Sequence, residues 1–191
     1  MSVLTRVGMP LDEFIRSYDE APFELIDGER ILLVPPVAEH GEVIRLLVIA
    51  LALYGQVNPN FIFYTEMPFV LEALPNWVKG SRVPDLMIYD RARLQVYQAE
   101  HPDWKSKPFI LVPDLCVEVI SASDSYIDVD AKVERYLEDG VRLIWVFNPR
   151  LSTITAHAPG SITRLTESEA LDGGEVLPGF SISVGTLFGQ Q

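Results

Sequence analysis

Two apolar runs in the middle of the chain, VPDLMIYD at 83–90 and DLCVEVIS at 114–121, each carry one carboxylate in otherwise hydrophobic surroundings. Runs this apolar read as strands covered on both faces, so they call for a central sheet with helices packed against each side. Asp85 follows Pro84 at the mouth of the first run, and Glu118 lies between Val117 and Val119 inside the second. A carboxylate in that setting is costly unless it is paired, hydrogen-bonded or bound to a metal. The fold therefore has to bring something to both acids.

The rest of the chain supplies the helices and further strands. PLDEFIRSYDE at 10–20 is a short amphipathic helix with Pro10 near its start. FELIDGERILLV at 23–34 reads as two strands around Asp27-Gly28, an N-terminal hairpin added to the central sheet. EHGEVIRLLVIALALYGQV at 39–57 is a helix, apolar on nearly every side after Arg45, which predicts that it is largely buried. FIFYTEMPFVLE at 61–72 is strand-like, with Pro68 marking a bend or an edge. A short helix and a long loop are expected between the two central strands. IDVDAKVERYLEDG at 127–140 sets Val129, Val133, Tyr136 and Leu137 on one helical face and ends at Gly140. RLIWVFNPRLSTITAHA at 142–158 is a hairpin turning at Asn148-Pro149, with Trp145 in the core. The pattern is α/β (α+β), a mixed sheet flanked by helices, and a single domain over 1–191 is expected.

Net charge limits the partners. At −12, with 15 lysines and arginines in all, the chain lacks the composition of a broad basic surface for nucleic acid. A nucleic-acid ligand would need a local basic groove, a metal ion or a partner. Cys116, the one cysteine, rules out a disulfide framework or a cysteine zinc site within one chain, and reads as a small buried hydrophobe. The N-terminus has no secretory pattern. The longest apolar run, LLVIALALY at 46–54, is far short of a membrane span. A soluble, cytoplasmic protein is expected.

Chemistry gathers around the two acids. Two carboxylates on adjacent strands would form a hard oxygen site suited to Mg²⁺. Lys132, on the helix that follows Glu118, would stabilise phosphoryl transition-state charge or orient an attacking water. Each residue also has a structural reading: Asp85 as a turn residue after proline, Glu118 facing solvent or an arginine, Lys132 as a solvated helix residue. Tyr136 reads as packing. Ser121, Ser123 and Asp124 read as strand-end and N-cap residues. No nucleophile elbow, Walker loop or dinucleotide glycine fingerprint occurs.

Six stretches in order carry a resemblance: FELIDGE (23–29), EHG (39–41), RVPDLMI (82–88), PDLCVEVISASDS (113–125), KVERYLEDGVRLIWVFNP (132–149) and LDGGEVLPGF (171–180). Over nearly its whole length the chain resembles the Uma-type restriction endonucleases of the PD-(D/E)xK superfamily. The resemblance implies a restriction-endonuclease-like core of about four strands, Mg²⁺ or Mn²⁺ as cofactor, DNA as partner and a homodimer. Asp85 then matches the metal-binding aspartate and Glu118 the second acid. The superfamily's lysine stands two residues after that acid, where this chain has Ile120. Lys132 on the following helix is the match, since a long side chain can reach back to the strand end. His40 matches a recurring histidine before the long helix; Glu39 and Glu42 are alternatives there, and helix capping is its structural reading. Glu24 matches as well, serving either the site or a hairpin salt bridge.

Three functions follow. The first is a Mg²⁺-dependent endonuclease hydrolysing DNA phosphodiester bonds. The second, prompted by the acidic charge, is a catalytically inactive fold of the same kind acting as an interaction protein. The third is a two-carboxylate glycosidase, for which Trp77 and Trp104 would stack the sugar.

Overall fold

Residues 7–121 and 124–189 are described by a computed structural model. In chain order they form β1 (Met9–Pro10), α1 (Leu11–Glu20), β2 (Phe23–Ile26), β3 (Glu29–Leu32), α2 (Ala38–Gly55), β4 (Phe61–Thr65), β5 (Phe69–Leu74), β6 (Trp77–Arg82), β7 (Leu86–Asp90) and α3 (Arg91–Glu100). There follow β8 (Leu115–Val119), α4 (Tyr126–Asp139), β9 (Leu143–Asn148), β10 (Thr153–Ala158), β11 (Ser161–Leu165), β12 (Ala170–Asp172), β13 (Ser181–Ser183) and α5 (Val184–Leu187).

The two apolar runs become the neighbouring strands β7 and β8 at the middle of a sheet of order β11-β10-β9-β8-β7-β4. β8 and β9 run parallel; the other neighbours are antiparallel, so the sheet is mixed. Alternate residues of each run serve opposite faces, which is why the runs have no polar side. Leu86, Ile88, Leu115 and Val117 pack with Val43, Leu47 and Leu51 of α2. Met87, Tyr89 and Cys116 pack with Leu94 and Tyr97 of α3 and with Val133 and Tyr136 of α4. Trp145 and Cys116 are fully buried, as expected. The sheet has six strands among the described residues, beyond the four-strand core, because β10 and β11 extend it past β9.

A smaller layer lies to one side. β1, β6 and β5 form a second sheet. Phe14 of α1, Phe23 and Leu25 of β2, and Val70 and Val78 of β5 and β6 share a separate apolar cluster. The β2–β3 hairpin turns at Asp27-Gly28, whose φ values of 52° and 87° are both positive, the two-residue geometry that Asx-Gly supports. Gly140 ends α4 in a left-handed C-cap at φ 101°.

Two expectations are corrected. The stretch 61–72 is two strands in different sheets: Glu66 turns at φ 52°, and after Pro68 the chain leaves β7 to pair with β6. α2 is not buried all round. Val43, Leu47 and Leu51 face the sheet, while Ile49 and Leu53 are 45% and 60% exposed, since one layer of sheet covers one face of a helix. Among the described residues no helix is long and apolar enough to cross a membrane.

Candidate active site

Pro84 lies in the short link between β6 and β7, and Asp85 is the first residue after it. Its N–H donates to the Val117 carbonyl (3.1 Å) and its carbonyl accepts from Glu66 (3.2 Å), so the backbone is pinned on both sides. The side chain reaches across the end of β8. Oδ2 accepts the Val119 N–H at 2.7 Å, and Oδ1 lies 3.2 Å from His40 Nε2 in the first turn of α2.

Glu118 is the next residue along β8 after Val117, the partner of Leu86. The alternation that sends Val117 and Val119 toward α2 sends Glu118 toward α4. There it meets two donors. Lys132 Nζ donates to Oε2 at 2.8 Å, and the Tyr136 hydroxyl donates to Oε1 at 2.5 Å. Lys132 and Tyr136 are four residues apart and so share one face of α4. Glu24, in β2, completes the group. Its Oε1 accepts the Val83 N–H at 2.9 Å and lies 3.5 Å from Lys132 Nζ.

The structure thus brings together Asp85, Glu118, Lys132, His40 and Glu24, all named from the sequence, and adds Tyr136. Glu24 belongs to the site rather than to a hairpin salt bridge: Phe23 and Leu25 on either side face the small core, so the strand period turns Glu24 the other way. Tyr136 looked like packing because it sits on the apolar stripe; its spacing from Lys132 was the available signal. Glu42 pairs with Arg45 on the surface. Ser125, not Ser121 or Asp124, caps α4 by accepting the Asp128 N–H, while Asp124 accepts the Ser121 N–H. Ser123 lies outside the described residues. Trp104 stacks on Phe109 and the Trp77 ring donates to the Val7 carbonyl. The two rings a sugar would need are engaged away from the acids.

Glu118 and Glu24 contact the Lys132 ammonium and Asp85 contacts His40; with every acid ionised and His40 neutral the formal balance is −3 + 1 = −2. The three acid side chains are between 7% and 20% exposed, so water screens them weakly. Burial pushes the Glu118 carboxyl up, Lys132 pulls it back, and Asp85 and Glu24 push it up again; the balance lies at about 8. Burial opposes the charge on Lys132, but Glu118, Glu24 and Asp85 outweigh it and hold the ammonium protonated. The hydrogen bond to Asp85 raises His40 against the effect of its burial.

These shifts share one sign. The folded chain keeps on Glu118 a proton that the unfolded chain gives up near 4.5, so that stability is fully present below 4.5 and is lost as pH rises to about 8. His40, raised above 6.5, adds a loss in the same direction. Melting temperature is therefore expected to fall between about pH 5 and pH 8. Glu118→Gln is expected to flatten most of that fall, and an equal slope in both proteins would refute the assignment.

Among the described residues no three His, Cys, Asp or Glu side chains stand in ready coordination geometry. The oxygens of Asp85 and Glu118 are turned to protein donors instead. Their chemistry nonetheless fits a divalent cation: the donors are hard oxygens, and the acids outnumber the one ammonium. Such a cation would have to compete with Lys132 for Glu118 and with His40 for Asp85.

The same architecture occurs in the crystal structure, at 1.96 Å, of a putative nuclease belonging to DUF820 from Anabaena variabilis ATCC 29413. The TM-score is 0.76 and the likeness covers 95% of this chain and 98% of that one, at 19% identity. This chain shares that α+β fold, a mixed sheet flanked by helices. The model of the Uma2 family, described as putative restriction endonuclease, matches residues 11–185. The chain belongs to that family. No curated protein matches it.

Proposed function

We propose that this protein is a divalent-metal-dependent endonuclease acting on DNA. Asp85 and Glu118 bind Mg²⁺ or Mn²⁺, Lys132 assists at the reacting phosphoryl group, and His40 supports Asp85. The observation that carries this reading is the convergence of three carboxylates and one ammonium at the ends of β7 and β8 in a nuclease-like fold.

A cation held there supplies Lewis acidity toward a phosphoryl oxygen and lowers the pKa of water. The chain does the rest. The Val119 N–H and His40 fix the rotamer of Asp85. Lys132 carries a positive charge next to Glu118, where it stabilises developing negative charge on a phosphoryl group. His40 Nε2, bonded to Asp85, keeps that carboxylate from turning away. The apolar strands beneath exclude water from one side, which strengthens each of these interactions.

A second reading has its own support. The segments 31–44, 61–76 and 117–131, which carry or adjoin the site, contain no lysine or arginine. A phosphate backbone normally meets several such residues. On that ground the fold would be a catalytically quiet interaction protein. Incubation of the purified protein with supercoiled plasmid and with single-stranded DNA separates the two. Cleavage that requires Mg²⁺ or Mn²⁺ and stops with chelator is expected. No cleavage, together with no calorimetric heat from Mn²⁺, would leave the quiet reading standing.

A further inference from the structure

We propose that Tyr136 is a positioning residue for Glu118, whose single hydroxyl sets the orientation of the carboxylate and thereby its affinity for a divalent cation. This rests on the reading of Asp85 and Glu118 as metal ligands.

The geometry has three parts. First, the ring cannot move. Tyr136 is 0% exposed, lies against Phe69 with centroids 6.2 Å apart, and shares a cluster with Met87, Cys116, Val133 and Val146. Its hydroxyl is therefore delivered to a fixed point. Second, that point is Glu118 Oε1, at 2.5 Å, a short O–H···O hydrogen bond. Third, the remaining oxygen, Oε2, faces Lys132, and Lys132 in turn faces Glu24. The phenol holds one oxygen so that the other stays on the side where the charges gather. Without it only Lys132 restrains the carboxylate about its last bond, a broad torsion that one partner on a flexible side chain fixes less well.

A tyrosine chosen merely for packing would need a partner for its hydroxyl, and any acceptor would serve. Here the acceptor is the acid that the metal reading depends on. Outer partners of ligating carboxylates change metal affinity by about 10–100-fold when removed.

The test is Mn²⁺ binding, followed by electron paramagnetic resonance of free Mn²⁺ and by calorimetry, in the wild type, Tyr136→Phe and Val133→Ala. Tyr136→Phe keeps the ring and removes one oxygen, so the fold persists; melting curves check this. Its Mn²⁺ affinity is expected to fall about 10-fold. Val133 is buried on the same helix face and bonds nothing in the site. Val133→Ala is expected to lower the melting temperature and leave Mn²⁺ affinity unchanged. A Tyr136→Phe affinity within about twofold of wild type, or an equal loss in Val133→Ala, would overturn the proposal. Absence of Mn²⁺ binding by the wild type would instead sink the metal reading, and the inference with it.

Discussion

Asp85→Asn is expected to reduce metal-dependent plasmid cleavage by about 10³-fold, equivalent to about 4 kcal/mol of lost transition-state stabilisation, while leaving the fold intact. The amide is nearly the size of the carboxylate, and its oxygen can still accept the Val119 N–H that Asp85 accepts at 2.7 Å. The strand ends therefore stay in register. What disappears is the charge, and with it half of the proposed metal ligation and the ionic partner of His40. Nicking rates measured over a range of Mg²⁺ concentrations separate weaker metal binding from a slower step. Equal cleavage by Asp85→Asn and wild type would remove Asp85 from the mechanism.

Lys132→Met is expected to have the largest effect on stability. Methionine fills much the same volume, but Glu118 and Glu24 lose the ammonium at 2.8 and 3.5 Å. Removing one partner of a buried ion pair costs about 3–5 kcal/mol, and here two acids share that partner. For a chain of this length the melting temperature should drop on the order of 10 °C. The loss should be greatest near pH 8 and smaller near pH 5, because Glu118, already at about 8, takes up a proton when the ammonium is gone. Glu118→Gln in the same chain should restore much of the loss, a coupling that a double-mutant cycle measures. Mn²⁺ should stabilise Lys132→Met more than wild type, since the cation takes the place of the missing charge. Equal stabilisation of both would argue that no cation binds between these acids.

The residues that interrupt apolar runs were the legible ones. Asp85 and Glu118 stand out against their strands because a buried carboxylate has to be compensated, and that cost is visible one residue at a time. Lys132 stands out beside the two acids but keeps a solvated-helix reading until the ordered resemblance is added, and His40 needs that resemblance outright, since a lysine or histidine on a helix surface carries no such local cost. Glu24 and Tyr136 were harder for a different reason. Whether β2 points Glu24 at Lys132 depends on how the hairpin folds back over the end of β6, where the Leu25 N–H donates to Ser81 Oγ at 2.8 Å. That contact spans more than fifty residues of chain and leaves no local trace. α2 was misread because its composition reports hydrophobicity and not direction: Leu47 and Leu53 look alike until a sheet lies against one of them. Pro68 reads as a bend or an edge of one strand-like stretch, because the strand pattern resumes at once in β5.

The hairpin that carries Glu24 belongs to the small layer, whereas Glu118 belongs to the main sheet. Lys132 touches both, so it helps to close a seam between two separately built layers, together with the Arg82–Asp139 pair and the Tyr136–Phe69 contact. Opening that seam would take one acid away from the other two. The charge at the seam then governs two things at once: the grip on a cation and the attachment of the N-terminal layer. Loss of the one should be legible in the other, as easier proteolytic clipping at the exposed Asp27-Gly28 turn.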